Sequence, residues 1–396
     1  MNPTPSLVIH ELLPSEMMGV IFEEHAKLEW MAPAIDGQVC RFWREIVLNT
    51  PRAWSYIEIR YGCHPSMGEL RLWLRRSGTA PLHIDCHSEI LYGILSYHHT
   101  RIVSLQATNG SKSIFEGRDF PRMQHLSISH WYPFQWGSMP KLQSLRLYTA
   151  RRCVVPLRGL PPLKMLTLAC FQCTSVLWHS QSLTTLMLYD MSLVDVISGP
   201  VTFPSLTYLS LYNVRDLKPH INAPCLVTYH ESGSTVDESF YIPLPSLVEY
   251  GVSYLSTSSL DPAEWHLYFP NILRVSLRAR QDVLLSFLAF LANHPQSFPA
   301  LRTICAPVVG YYLPEKIYKN MESLVLARNE VCDVHVVLPL EKTGPPFCIP
   351  IFFARVCDLS IRRSCDLLMH ILGTGRWSLK TFRSRVLTCS LSPPKL

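Results

Sequence analysis

The sequence predicts an α/β solenoid: a small α-helical N-terminal unit, then an irregular repeat array with a curved parallel sheet. Three observations predict it. First, the pattern of Phe203-Pro204-Ser205-Leu206-Thr207-Tyr208-Leu209-Ser210-Leu211 recurs from Phe120 to Ile128, from Met139 to Leu147 and from Leu160 to Leu168. It returns from Leu244 to Val252 and from Phe269 to Leu277. Second, its apolar positions lie at offsets 0, +3 and +5, and the last two alternate, as two residues on one face of a strand must. Third, the recurrences follow one another at a nearly fixed interval. The chain has 396 residues, more than one ordinary domain unless it is a repeat array.

The helical unit comes first, after a short leader over 1–12. Leu13-Pro14-Ser15-Glu16 opens a helix, with proline in the first turn and an acid where the helix dipole favours one. Met17, Met18, Ile21 and Phe22 form a single apolar stripe, and a break follows around Trp30-Met31-Ala32-Pro33. A second helix is expected from about Ile35 to Asn49, its stripe made by Ile35, Val39, Trp43, Ile46 and Val47 with Cys40 beside it. Thr50-Pro51 stops it. Trp54 to Ile59 alternates and reads as a strand.

Helix and strand then alternate. Met67 to Ser77 is helical, with Met67, Leu70 and Leu74 on one face and Gly78 ending it. Pro81 to Asp85 is a strand, Ser88 caps a helix through about His98, and Arg101 to Leu105 is the next strand. The first apolar positions of the rungs are Leu82, Ile102, Met123, Leu142, Leu163, Leu183, Leu206, Leu226 and Leu247, at intervals of 20, 21, 19, 21, 20, 23, 20 and 21. Ile272, Leu301 and Met321 follow at 25, 29 and 20, because a helix from Asp282 to His294 is inserted. Polar residues stand at +7, as Thr149, Asp190 and Asn213. Few helices are expected on the outer side of the middle rungs. Beyond Glu330 the rhythm weakens. Asp333 to Leu340 reads as a strand, residues 342–346 as a loop, and Ala354 to Ile361 and Leu379 to Phe382 as two last strands.

Two resemblances follow from these residues. Leu13-Pro14-x-Glu16-Met17-Met18-x-x-Ile21-Phe22, then Val39-Cys40-Arg41-x-Trp43-Arg44-x-Ile46, then Thr50-Pro51-x-x-Trp54 resembles an F-box, in particular the F-box-like domain that fungal proteins place ahead of leucine-rich repeats. It departs from that pattern at Ala32-Pro33-Ala34 and at Ala53. The period of 20 to 29 is similar to that of leucine-rich repeats, without their asparagine ladder. The expected domains are the leader, an F-box-like unit over 12–59, repeats over 60–330, irregular C-terminal repeats or a cap over 331–389, and a tail over 390–396.

The resemblance implies a partner, the Skp-type adaptor of a cullin–RING ubiquitin ligase, with a cullin scaffold beyond it. Leu13, Pro14, Met17 and Ile21 are then expected to touch the adaptor, and Phe22, Val39 and Trp43 to share core and contact roles. In the array, offsets 0, +3 and +5 point inward, so +2, +4 and +6 line the concave face. That places His125, Ser144, Arg146, Tyr148, Tyr189, Tyr208, Tyr212, His230, Glu249, Arg274 and Arg278 where a protein substrate would be held. Tyrosine and arginine are enriched in binding hot spots, though tyrosine also simply suits strands.

Composition narrows the function classes. Hydrophobic residues make up 48% and charged ones 17%, so this is not a disordered chain. The net charge of +6 is scattered without an aromatic–basic motif, and no nucleic acid is expected as partner. No uninterrupted apolar N-terminal region reads as a signal peptide, and the longest apolar stretch, Val283 to Ala292, is too short to span a bilayer. The 13 cysteines read as small core residues, and the expected location is cytoplasmic or nuclear. Gly373-Thr374-Gly375 lacks the context of a phosphate loop, and Cys170-x-x-Cys173 stands alone. His83, Cys86 and His87 cluster, with Cys63-His64 upstream and His98-His99 downstream, and on adjacent strands and helix ends they could approach each other as a metal site or a Cys–His nucleophile. No catalytic residue, metal or cofactor is expected. A leucine-rich scaffold with a degenerate box is the alternative, and it requires Met17, Ile21 and Trp43 to be buried within the chain.

Overall fold

In a computed structural model of the chain, the described residues are 13–59, 66–107, 112–115, 117–129, 138–153, 161–171, 181–191, 201–214, 221–233, 244–253, 271–278, 281–294, 296–305, 335–339 and 348–351. The expected leader, the rung at Met321, the loop at 342–346, the last two strands and the tail lie outside them.

A small helical region leads into a parallel β-solenoid. Helix α1 spans Ser15–Leu28, α2 Ala32–Val39 and α3 Arg41–Leu48; a 3₁₀ turn over Pro51–Ser55 then enters strand β1, Tyr56–Ile59. Helix α4, Met67–Arg76, precedes β2, Leu82–Cys86, and α5, Glu89–Leu95, precedes β3, Ile102–Ala107. After the one-turn α6, Lys112–Phe115, come β4 (His125–Ser129), β5 (Ser144–Cys153), β6 (Met165–Phe171) and β7 (Thr185–Tyr189). Next are β8 (Val201–Thr202), β9 (Tyr208–Tyr212), β10 (Ile221–Asn222), β11 (Thr228–Ser232), β12 (Glu249–Ser253) and β13 (Arg274–Arg278). Helix α7, Gln281–Asn293, precedes β14 (Thr303–Cys305), β15 (His335–Pro339) and β16 (Cys348–Ile351).

All strands but β8 and β10 form one 14-stranded sheet in chain order; β8 and β10 pair as a separate two-stranded sheet. Every neighbouring pair of the large sheet is parallel except the last, β15–β16. Among the described residues no helix lies between Phe115 and Gln281.

The repeat explains this arrangement residue by residue. The residue before each proline is buried, as at Phe120, Met139, Phe203, Ala223, Leu244 and Phe298. Its carbonyl accepts the amide of the first core residue three positions on, from Phe120 to Met123 (3.2 Å) through Phe298 to Leu301 (3.1 Å). Proline at the second position of such a turn has its φ already set. The residue after the first core position then joins successive rungs. The carbonyl of Thr184 accepts from both Thr207 and Tyr208, and that of Thr207 from both Val227 and Thr228. The first core residues from Leu82 to Leu301 are all buried, each contributing about 1.5–3 kcal/mol of apolar burial. They belong to one core that runs without a break from Met18 and Phe22 in α1 to Ile304 in β14.

The polar residues at +7 have a backbone reason. Asp190 and Asn213 both sit at φ +50, where Asp and Asn are better tolerated than most residues. Their amides donate to Tyr212 and Ser232 on the next rung, and Asn213 Nδ2 donates to Asp190 Oδ1 at 2.9 Å. Gly233 occupies the equivalent turn at φ +65.

Several local expectations are corrected. The helix expected over 35–49 is two helices, broken at Cys40, whose extended backbone caps α3 while its Sγ accepts the Trp43 amide at 3.4 Å. Trp54 lies in the 3₁₀ turn, and the strand begins only at Tyr56. The helix after Ser88 ends at Leu95, giving way to 3₁₀ geometry over Ser96–Arg101, and Ser88 makes no side-chain cap bond. The rung at Leu82 buries Ile84 and Cys86, at +2 and +4, because the β2–β3 register shifts between Leu82 and His83. Of the strand expected over 333–340, the described residues His335–Pro339 are strand as expected. Helix α4 runs as expected and is secured by a capping box between Ser66 and Glu69.

Candidate functional site

Two surfaces stand out, one on the helices and one on the sheet. On α1 the expected single stripe divides into two faces. Met18, Phe22 and Ala26 turn into the core, while Met17 is 53% and Ile21 46% exposed. Val20 and Leu28 are exposed beside them, and so are Ile35 and Val39 on α2 and Phe42 and Leu48 on α3. The physical cause is spacing: residues 18, 22 and 26 repeat every four positions, as do 17 and 21, one step round the helix. Trp43 is half-buried and packs its ring on Phe22, with centroids 5.2 Å apart. Phe22 is 1% exposed, so its expected contact role is corrected to a core role. Leu13 is half-buried against the core, and Pro14 is exposed at the N-cap, its carbonyl accepting the Met18 amide at 3.1 Å. Pro14, Met17, Ile21 and Val39 are therefore accessible, whereas Leu13 and Trp43 are only partly so.

The helices are held in place by bonds that hydrophobic pattern does not reveal. The buried Asp36 carboxylate of α2 bonds His25 Nδ1 of α1 at 3.1 Å. Trp54 donates its indole N–H to the Val47 carbonyl at 2.9 Å, meets Trp73 edge-on at 4.9 Å, and carries the Arg76 guanidinium 4.3 Å over its face.

On the sheet, the parallel register sorts the open-face residues into three rows. The +2 row runs His125, Ser144, Met165, Thr185, Tyr208, Thr228, Glu249, Arg274. The +4 row contains Arg146, Thr167, Met187, Ser210, His230 and Gly251. The +6 row contains Tyr148, Ala169, Tyr189, Tyr212, Ser232, Ser253 and Arg278. Arg278 holds its place in the backbone register, and its side chain lies outside what is described.

The structure brings the aromatic members together. Tyr189 and Tyr212 lie 6.0 Å apart, and Tyr208 and His230 5.7 Å apart. Burial pushes the phenols of Tyr148 and Tyr208 above the ordinary tyrosine value, so both are hydroxyl donors at neutral pH. Burial also lowers the His230 pKa, against a smaller raising effect from Glu249. At one end Glu249 faces Arg274 at 3.9 Å, while His125 and Arg146 are exposed at the other.

His230 owes its position to Gly251, because a Cβ there would collide with Nδ1 and Cε1 of its ring. Gly251→Ala is expected to swing the imidazole off the sheet into water. Its pKa should then rise toward the ordinary histidine value, which an NMR titration of His230 would read.

Among the described residues, the members of the His/Cys cluster form no ligand set. His83 stacks on Tyr56 at 4.7 Å, and His87 Nε2 lies 3.1 Å from Asp85 Oδ1. Cys86 is buried, its thiol pushed up to about 11, and Cys63 and His64 lie outside the described residues, as does Cys173. Among the described residues no three His, Cys, Asp or Glu side chains converge as metal ligands, and no helix is long and apolar enough to cross a membrane.

One feature of the array was missed from sequence. At offset +5, where leucine is usual, β11 carries Glu231, 4% exposed. Its Oε2 accepts the Tyr229 hydroxyl at 2.8 Å and its Oε1 the Tyr250 hydroxyl, under phenol rings stacked at 5.6 Å. The signal was present: the two +3 positions flanking this glutamate are tyrosines, not leucines.

No protein-family model matches this chain, and no curated protein is significantly similar to it.

Proposed function

We propose that the chain is a substrate-recruiting subunit of a Skp–cullin–F-box ubiquitin ligase. In this reading α1 and α2 dock on the Skp-type adaptor, with the cullin scaffold beyond, and the open sheet face holds a protein substrate. The chain supplies no reacting group and works in the cytoplasm or nucleus. Its mechanism is proximity, a bound protein held beside a ligase on a rigid ladder of strands.

The observation that carries this reading is the pair of faces on α1. One is fully committed to the shared core, and the other leaves Met17 and Ile21 in water; Val39 on α2 is exposed as well. Exposed apolar side chains clustered on neighbouring helices mark an interaction site. The F-box-like motif supplies the identity of the partner. Half-burial of Trp43 against Phe22 favours the second reading, a repeat scaffold in which the box is only a cap.

Co-purification separates the two. The intact protein is expected to retain a Skp-type adaptor. A Met17→Asp/Ile21→Asp variant is expected to lose it by at least about 100-fold in affinity while unfolding at the same temperature, since both side chains are already in water. Capture of no adaptor by the intact protein leaves the scaffold reading in place, and undiminished capture by the variant excludes this docking face.

A further inference from the structure

A cavity of about 200 Å³ lies in the helical unit, between α2, α3, the 3₁₀ turn and the end of α4. Helical spacing builds it. Gly37 and Gln38 belong to the last turn of α2, and Arg44 and Leu48 fall at i and i+4 on one face of α3. Trp54 of the 3₁₀ turn and Arg76, the last residue of α4, complete the wall. Two arginines therefore line the cavity and, among the described residues, no carboxylate does. Half-buried Arg76 lies 4.3 Å over the Trp54 ring and has neither a hydrogen-bond acceptor nor an ion-pair partner among the described residues. Arg44 gives its Nε to the Gly37 carbonyl at 2.7 Å, and its terminal nitrogens bond no described residue. Burial first, and neighbouring Arg75 second, pull Arg76 below the ordinary arginine pKa, the direction expected of a cation with no acid beside it.

We propose that this cavity binds a phosphate monoester group between Arg44 and Arg76. The cavity uses neither Met17, Ile21 nor the open sheet face, so the proposal stands apart from the ligase reading. Charge selects the group: a phosphate monoester carries about −1.5 to −2 at pH 7 and balances two guanidiniums, whereas a carboxylate balances one. Each guanidinium can meet phosphate oxygens with two parallel hydrogen bonds, and the exposed Gln38 amide adds a donor at the rim. Leu48 and the Trp54 ring offer apolar wall to the ester carbon. Size limits the rest of the ligand. Pockets for drug-sized molecules span about 300–1,000 Å³, so this one takes a single group and leaves a nucleoside outside. The last turns of α2 and α3 end here, but the carbonyls of Gly37 and Val47 are already taken, by Arg44 and by the Trp54 indole at 2.9 Å. A helix end carries only about half a charge, so the two full charges set the field.

The test is titration of the intact protein, at matched ionic strength, with inorganic phosphate and with a short phosphoserine peptide. The same peptide carrying serine or glutamate serves as control. Calorimetry reads the affinity, and the side-chain Nε–H resonances of Arg44 and Arg76 in NMR spectra report the place. Both resonances should shift with the phosphorylated probe. Arg76→Gln and Arg44→Gln should each weaken binding about 10- to 100-fold, the scale of a charge-assisted bond. Gln38→Glu should weaken it at least about 10-fold by placing a like charge at the rim. Gln38 and Arg44 are exposed, so those two variants should unfold at the wild-type temperature and keep the test open even where Arg76→Gln fails to fold. Binding of the peptide alone assigns the group to a phosphorylated side chain, and binding of inorganic phosphate as well, or alone, assigns it to free phosphate; each supports the site. Binding of neither probe, an affinity that ignores these substitutions, or equal binding of the glutamate peptide overturns the proposal. Adaptor capture enters none of these arms, so its failure touches only the ligase reading.

Discussion

Tyr229→Phe/Tyr250→Phe is expected to destabilise the protein by about 3–5 kcal/mol, because it strips two hydrogen bonds from a carboxylate that remains inside the core. Glu231 is 4% exposed and accepts both hydroxyls. The triple variant that also carries Glu231→Leu should recover most of that loss. It puts at +5 the residue type found there on β5, β6, β7 and β9, where Leu147, Leu168, Leu188 and Leu211 are buried. Exchanging the carboxylate together with both phenols costs less than removing the phenols alone and leaving the buried charge. Chemical denaturation of the wild type, the double and the triple variants checks this. A triple variant no more stable than the double one would show that the cost lies in ring packing.

The same cluster has a pH signature. The Tyr250 hydroxyl is held well above the ordinary tyrosine value of 10.0, by burial first and by Glu231 second. Its pKa is raised on folding, so its contribution is complete below the unfolded value and is lost as pH rises beyond it. Stability should therefore fall from about pH 10 upward, and Tyr250→Phe should flatten that fall.

Trp54→Ala should cost a further large amount, about 3–5 kcal/mol, by opening a cavity where the helices meet the sheet. The ring is 1% exposed, is bounded by Trp73 and Arg76, and bonds α3 through the Val47 carbonyl. The loss should be local. In a repeat array each unit answers mainly to its neighbours, so amides of α1 to α3 should exchange faster while those of β5 to β9 keep their protection. Adaptor capture should fall with the helices. Uniform loss of protection along the sheet would instead mean that the chain unfolds as one unit.

Much of this was legible in the chain. The leucines at 0, +3 and +5 give strands, rungs and open-face rows, because a parallel ladder in register turns a 20-residue spacing into a column of neighbours. Glu231 breaks the leucine pattern at +5, and only the tyrosines at the +3 positions of the same and the next rung mark it as a core residue. The break at Cys40 was hidden because residues 35–47 keep helical spacing through it. Trp54 was misplaced by two residues of 3₁₀ turn, which leave no periodic trace in so short a segment.

The division has one physical root. A repeat spacing determines which side chains share a face, and so the sequence by itself determined the solenoid, its rungs and the rows containing Arg146, Tyr148 and Tyr189. Spacing does not say what covers a face. That α1 buries Phe22 and leaves Met17 and Ile21 in water, and that His230 lies over Gly251, were decided only by which neighbours the tertiary structure packs against them.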